Sequence, residues 1–180
     1  MPRGLRCCSP AGGISGTDMR LAVAAAAATL ALDQASKAFV IHVLDLPRRF
    51  AIDVLPPFFN LRMAWNTGVN FGIMAGDGPV TRWALIALAL VIAVGVWVWV
   101  ARQAPGRLLQ ASAGLLVGGA LGNVIDRLAY GAVADFINMS CCGINNPFAF
   151  NIADVAIFAG ALGIVLFSGG SGDGGRTAGG

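Results

Sequence analysis

No glutamate occurs anywhere in this chain, and histidine occurs once, at His42. Together these absences exclude a zinc peptidase of the HExxH kind, which needs a Glu base between two His ligands. Charge is scarce as well. Only 12% of the residues are charged, where a soluble domain carries roughly a quarter. The nine acidic residues are all Asp, and the net charge of +3 is scattered, with no basic run of the kind that marks a nucleic-acid surface. The four cysteines form two vicinal pairs, Cys7-Cys8 and Cys141-Cys142, without the CxxC spacing of a zinc or redox site. Neighbouring cysteines seldom bridge to each other because the ring is strained, so both pairs read as small, apolar-leaning side chains. No metal, cofactor or nucleic-acid partner is expected. What remains is apolar: 57% hydrophobic residues and a mean hydropathy of +0.74 place the chain in the membrane.

Four apolar stretches carry that signal. Residues 21–41 follow Arg20 and are long enough to span the ~30 Å hydrocarbon core as a helix, although Asp33, Gln34 and Lys37 interrupt them. Residues 83–101 contain no charge, and Trp83, Trp97 and Trp99 lie near the ends, as interfacial aromatics do. Residues 108–125 carry Gly114, Gly118 and Gly122 at intervals of four, a small-residue face that lets another helix approach closely. The fourth stretch is 150–167. The expected fold is therefore an all-α integral membrane protein of four transmembrane helices over residues 19–168. A small extracytoplasmic β-rich loop region is expected in 42–79, where Pro47, Pro56, Pro57 and Pro79 punctuate short β-like runs. Residues 1–18 and the Gly-rich 169–180 read as disordered tails, and Met19 reads as the native start.

Counting crossings has a consequence. Four spans put both termini on one side and the 42–79 and 126–150 loops on the other. Every polar motif lies in those loops or at the span ends that adjoin them, so Asp33, Lys37, Asn66, Gly68, Asn123, Asp126, Arg127, Asp135, Asn151 and Asp154 converge on one face. The short turn holding Arg102 and Arg107 favours cytoplasmic termini and an extracytoplasmic site.

Within this set the acids differ. Asp33 and Lys37 stand at i and i+4 and can pair. Asp126 and Arg127 read as a charge cluster that ties the end of the third span. Asp135, in AVADFI, and Asp154, three residues after Asn151, have no basic neighbour in sequence and are the least compensated. Two carboxylates close together at a membrane interface cannot both ionise easily. A pair sharing one proton can activate a water and protonate a carbonyl oxygen, which is aspartic-protease chemistry. Two rivals stand beside this reading. A Ser-Lys hydrolase based on Lys37 lacks a well-placed serine among Ser36, Ser112 and Ser140. A proton- or ion-coupled transport protein using intramembrane Asp residues would need acids spread across the bilayer, whereas these gather at one face.

Four blocks, in order, resemble those of the lipoprotein signal peptidases (signal peptidase II). Asp33-Gln34-Ala35-Ser36-Lys37 is similar to the family's D-Q-x-[ST]-K, and Asn66-Thr67-Gly68-Val69-Asn70-Phe71-Gly72 to its N-x-G-x-x-F-G. The third block is GGALGNVIDR, 118–127, followed by Val133-Ala134-Asp135-Phe136; the fourth is Phe150-Asn151-Ile152-Ala153-Asp154. Asn70 and Ala134 depart from the residues usual at their positions. The resemblance implies Asp135 and Asp154 as the catalytic pair. It implies supporting or substrate-binding roles for Asp33, Lys37, Asn66, Gly68, Asn123, Asp126, Arg127 and Asn151. It further implies a monomeric enzyme of the bacterial inner membrane. The implied substrate is a diacylglyceryl-modified prolipoprotein, cut just before its lipidated cysteine, and the other partner is membrane lipid.

Overall fold

The computed structural model describes residues 19–68, 79–103, 105–141 and 146–168. The expected tails, Cys142 and the 69–72 part of the Asn66 motif lie outside the described residues. Four long helices and one small sheet make up the rest. Helix α1 is Arg20–Ala38 and runs on into a π-helical turn, Phe39–Val43. A single-turn helix α2, Leu46–Arg49, leads to strands β1, Ala51–Leu55, and β2, Phe59–Asn66. Helices α3, Pro79–Ala101, and α4, Arg107–Tyr130, are followed by strand β3, Val133–Met139, and helix α5, Ile152–Phe167.

Two of these helices, α3 and α4, are long and apolar enough to cross a membrane, with mean hydropathies of 2.7 and 1.5; α5 is apolar but shorter. Their surroundings differ in a way that fixes the plan. Most of α3 is exposed, whereas 67% of the most apolar window of α4 is buried. Helix α4 is therefore the hub, and α1, α3 and α5 pack around it.

Small residues make that packing possible. A methyl group on Gly114 would strike the backbone of Ala22, one on Gly118 would lie 2.5 Å from the Ala26 carbonyl oxygen, and one on Gly122 would lie 2.5 Å from the Asp33 carboxylate. Residue numbers rise together along this contact, so α1 and α4 run parallel. On the other side Gly119 meets Ala153, and Gly160 meets Ser112 and Leu116, so α5 runs antiparallel to α4. The glycine interval seen in the sequence thus faces α1, and a second set of glycines, two of them on α5, seats α5.

The sheet order is β1-β2-β3, antiparallel throughout. Its apolar row Ile52, Leu61 and Ile137 packs with Val40, Leu46 and Phe136, which fastens the sheet to the π-helical turn and α2. Helix α4 ends at Gly131, whose φ of 82° reverses the chain into β3. This changes the sequence expectation at one point. The third apolar helix runs past Ile125 to Tyr130, and Asp135 sits on a paired strand where a loop was expected. Valine, phenylalanine and isoleucine in 133–139 favour extended backbone, but the run is short and buried on both faces, so it shows no alternation.

Gly118→Val should force α1 and α4 apart and cost about 1–3 kcal/mol. Gly95→Ala, where an added methyl meets nothing within 4 Å, should be neutral or stabilising by up to ~1 kcal/mol. Thermal unfolding of the two variants in the same detergent measures both signs.

Candidate active site

The polar cluster is built around the chain's single lysine. Lys37 is 2% exposed, and Asp33 and Asp126 are fully buried. Its ammonium lies 2.8 Å from Asp33 Oδ2 and 2.8 Å from Asp126 Oδ2, and donates to Asn123 Oδ1 at 3.3 Å. The remaining carboxylate oxygens are also occupied. Asp33 Oδ1 accepts from the backbone N–H of Ala153 at 3.0 Å. Asp126 accepts from Gln34 Nε2 at 3.1 Å and from the backbone N–H of Ala134 at 3.1 Å. One lysine from α1 therefore ties α1 to α4, and its two carboxylate partners reach the start of α5 and the start of β3.

Beyond this cluster lie the two acids that sequence left uncompensated. Asp154 stands in the first turn of α5, at the positive end of the helix dipole. It forms a capping box with Asn151. Asn151 Oδ1 accepts from the Asp154 N–H at 2.9 Å, and Asp154 Oδ2 accepts from the Asn151 N–H at 3.2 Å. The other oxygen, Oδ1, accepts from Asn123 Nδ2 at 2.9 Å. Asp135, on β3, is 3% exposed. Its Oδ1 accepts from Asn151 Nδ2 at 2.7 Å, and its Oδ2 from Asn66 Nδ2 at 3.1 Å. Asn151, itself fully buried, thus holds the backbone beside one acid and the carboxylate of the other.

Burial is the main reason that the Asp135 carboxyl is pushed up to about 6, with the nearby Asp154 charge adding to it. The hydrogen bonds from Asn66 and Asn151 act the other way, as does the Lys37 charge. Asp135 lines a cavity of about 360 Å³ together with Trp65, Asn66, Thr67 and Phe148. Asn66 also shapes the backbone. Its Oδ1 accepts from the Gly68 N–H at 2.9 Å, which turns the chain sharply after β2. Gly68 has φ 93°, and a methyl there would strike the Leu85 side chain, so only glycine suits the position.

The structure brings Asp33, Lys37, Asn66, Asn123, Asp126, Asp135, Asn151 and Asp154 into one continuous hydrogen-bonded network, with Gly68 at its edge. One of the sequence expectations needs correcting. Asp126 pairs with Lys37, not with Arg127, because consecutive helical residues point about 100° apart. Arg127 instead donates to its own helix, at the Asn123 carbonyl, 3.3 Å away. Gln34 enters the sequence reading only as part of a motif. It bridges Asp33, Asp126 and the Gly122 carbonyl, and its one sequence signal is an amide placed directly beside a buried acid.

Comparison with known proteins gives a consistent result. A family model described as signal peptidase (SPase) II matches residues 25–168. The lipoprotein signal peptidase of Methylorubrum extorquens (strain PA1) is 45% identical over 156 residues, covering 84% of this chain and 87% of that protein. That of Methylobacterium sp. (strain 4-46) is 43% identical over 146 residues, covering 81% and 87%. That of Rhodopseudomonas palustris (strain ATCC BAA-98 / CGA009) is 42% identical over 155 residues, covering 84% and 93%. A bacterial membrane enzyme solved by the in meso method at 2.3 Å superposes with a TM-score of 0.72 at 25% identity, over 91% of this chain and 97% of its own. A second such structure, at 1.9 Å, has a TM-score of 0.72 at 24% identity, over 91% and 100%.

Lys37→Met should leave two buried carboxylates facing each other without a cation. The expected loss is about 3–5 kcal/mol of stability, read as a lowered unfolding midpoint for the detergent-solubilised protein.

Proposed function

The chain belongs to the signal peptidase II family, and from that premise we infer how its own residues carry out the reaction. It is an aspartic endopeptidase of the bacterial inner membrane that removes signal peptides from lipoproteins. We assign the chemistry to Asp135 and Asp154. The observation that carries the assignment is the pair of buried amides between them: Asn151 donates to Asp135 at 2.7 Å and Asn123 donates to Asp154 at 2.9 Å. These amides fix both carboxylates, and the Asp154 charge acts on Asp135.

In this reading the pair shares one proton. The ionised member takes a proton from a water, which attacks the scissile carbonyl carbon. The protonated member donates to the carbonyl oxygen as it becomes tetrahedral, and proton return to the leaving amine completes the cleavage. The proton belongs to the pair and not to one residue. Lys37, Asp33 and Asp126 touch neither acid's reactive side; they hold α1, α4, α5 and β3 in register, and Arg127 adds positive charge near both acids.

The substrate assigned here is a prolipoprotein bearing diacylglycerol, cut just before the lipidated cysteine. Its acyl chains confine it to the bilayer, since each buried CH₂ contributes about 0.8 kcal/mol. Trp65 and Phe148 flank the cavity at Asp135, and Gly68 leaves room for a backbone to pass closely. We read α1 and α5 as spanning helices like α3 and α4. In support, α1 with its π-helical turn extends about 36 Å, and the directions of α1, α4 and α5 fit alternate crossings. The termini are then cytoplasmic and the acids extracytoplasmic. We read the enzyme as a monomer.

Asp135→Asn and Asp154→Asn should each reduce cleavage of a diacylglyceryl prolipoprotein in liposomes by at least about 10³-fold while the protein stays folded. Near-normal turnover by either would exclude the dyad. The pH profile offers a second check. Ionisation of both acids removes the shared proton, so kcat/KM should fall on the alkaline side with an apparent pKa near the value of about 6 for Asp135. The Asn66 hydrogen bond favours the carboxylate and lowers that value, so Asn66→Ala should move the alkaline limb to higher pH. A limb that stays in place or moves down would contradict the role given to Asn66.

A further inference from the structure

A second cavity, of about 560 Å³, lies on the sheet away from the acids. Its floor is a row of cross-strand partners, Asp53, Asn60 and Asn138. Arg62, two residues beyond Asn60 on the same strand, and the prolines Pro56 and Pro57 close its sides. The catalytic reading uses none of these residues.

Asn60 is the informative one. It is 5% exposed, and its Oδ1 has no hydrogen-bond partner among the described residues. Its Nδ2 donates to the Pro57 carbonyl at 3.4 Å. The neighbouring Asn138 contrasts with it, since its Nδ2 donates to the carbonyls of Asn146 and Phe148 at 2.8 Å each. A buried acceptor left without a donor costs about 1–3 kcal/mol, so the floor of this cavity calls for an incoming N–H. Asp53 stands directly across the strand pair from Asn60, which puts a carboxylate beside that free oxygen. Arg62 projects from the same face about 7 Å further along the strand. Both are exposed, and neither has an ion-pair partner among the described residues. The cavity therefore presents two acceptors at one end and a guanidinium at the other, a polarity suited to a zwitterion carrying an ammonium and an anionic group.

The rim identifies where such a ligand comes from. The β1–β2 turn exposes Val54, Leu55 and Phe58, at 53%, 61% and 55%, around the two prolines that line the cavity. On an integral membrane protein an apolar tip of this kind seats in the boundary between headgroups and acyl chains. A polar cavity beside it then lies at headgroup depth.

We propose that this cavity holds the headgroup of a phospholipid bearing a primary ammonium and a phosphate. The ammonium donates to Asn60 Oδ1 and Asp53, Arg62 pairs with the phosphate, and the β1–β2 tip rests among the upper acyl carbons.

Native mass spectrometry of the full chain, released from detergent micelles, tests this with three probes: phosphatidylethanolamine, phosphatidylglycerol and soluble phosphoethanolamine. The expected result is one retained phosphatidylethanolamine per chain, with phosphatidylglycerol about tenfold weaker for want of the charge-assisted ammonium contact. Asp53→Asn should abolish that preference, and Arg62→Gln should weaken both lipids. Both substitutions are at exposed positions and leave the fold intact. Val54→Ser with Phe58→Ser should lower lipid retention without affecting soluble phosphoethanolamine. Equal retention of the two lipids by the unmodified chain, or an unchanged preference in Asp53→Asn, would overturn the proposal. Soluble phosphoethanolamine binding as tightly as the lipid would overturn the lipid assignment.

Discussion

A single ammonium group sits where three helices and a strand meet. Lys37 has no water to lean on, and neither have the two carboxylates it serves. Moving such ions from water into a low-dielectric interior is expensive, and their mutual attraction repays it only when geometry is good and every remaining lone pair is met. Here the free oxygen of Asp33 is met by the backbone N–H of Ala153 and that of Asp126 by Gln34, while the backbone N–H of Ala134 joins Lys37 on the second Asp126 oxygen. The two backbone N–H groups belong to the residue before Asp154 and the residue before Asp135. The charge cluster therefore determines where both acids are held.

This dependence explains the composition of the helices. A charged cluster can be buried between α1, α4 and α5 only if their backbones come close enough to enclose it. Gly122 leaves the space that the Asp33 carboxylate fills, and Gly114 and Gly118 bring the rest of α1 into line. In hydrocarbon, where apolar side chains gain nothing by leaving lipid for one another, close packing and interhelical polar contacts are the attractions available. The glycines and the buried acids are two parts of one solution.

Much of this was legible in the sequence. The apolar stretches, the glycine interval and the gathering of polar motifs on one face follow from period, length and counting. The lack of a basic neighbour drew Asp135 and Asp154 together in the sequence, and the structure links them through Asn151 and Asn123. Other features were not legible. Lys37 reaching Asp126, 89 residues away in sequence, depends on how far α1 slides along α4. Periodicity says which face a residue is on, not its height against a neighbour. The strand carrying Asp135 was hidden because burial on both faces erases the alternation that reveals a strand.

The least visible determinant is a slip in strand register. Leu61 pairs with Ile137, but Ala64 pairs with Asp135, so one extra residue of β2 is taken up between them. Side chains alternate along a strand, and a slip of one residue exchanges the faces that two strands present to each other. With the register of the first half continued, Asn66 would lie across from Ala132, on the face opposite to Asp135. With the slip it lies across from Val133, which shares a face with Asp135. That is why Asn66 Nδ2 reaches Asp135 Oδ2 while Asn66 Oδ1 still shapes the turn at Gly68. The strand carrying Asp135 is thus set from both ends. The lysine cluster fixes its start through Ala134, and the bulge fixes which way its acid faces. Neither end could have been found from Asp135 and its neighbours in sequence alone.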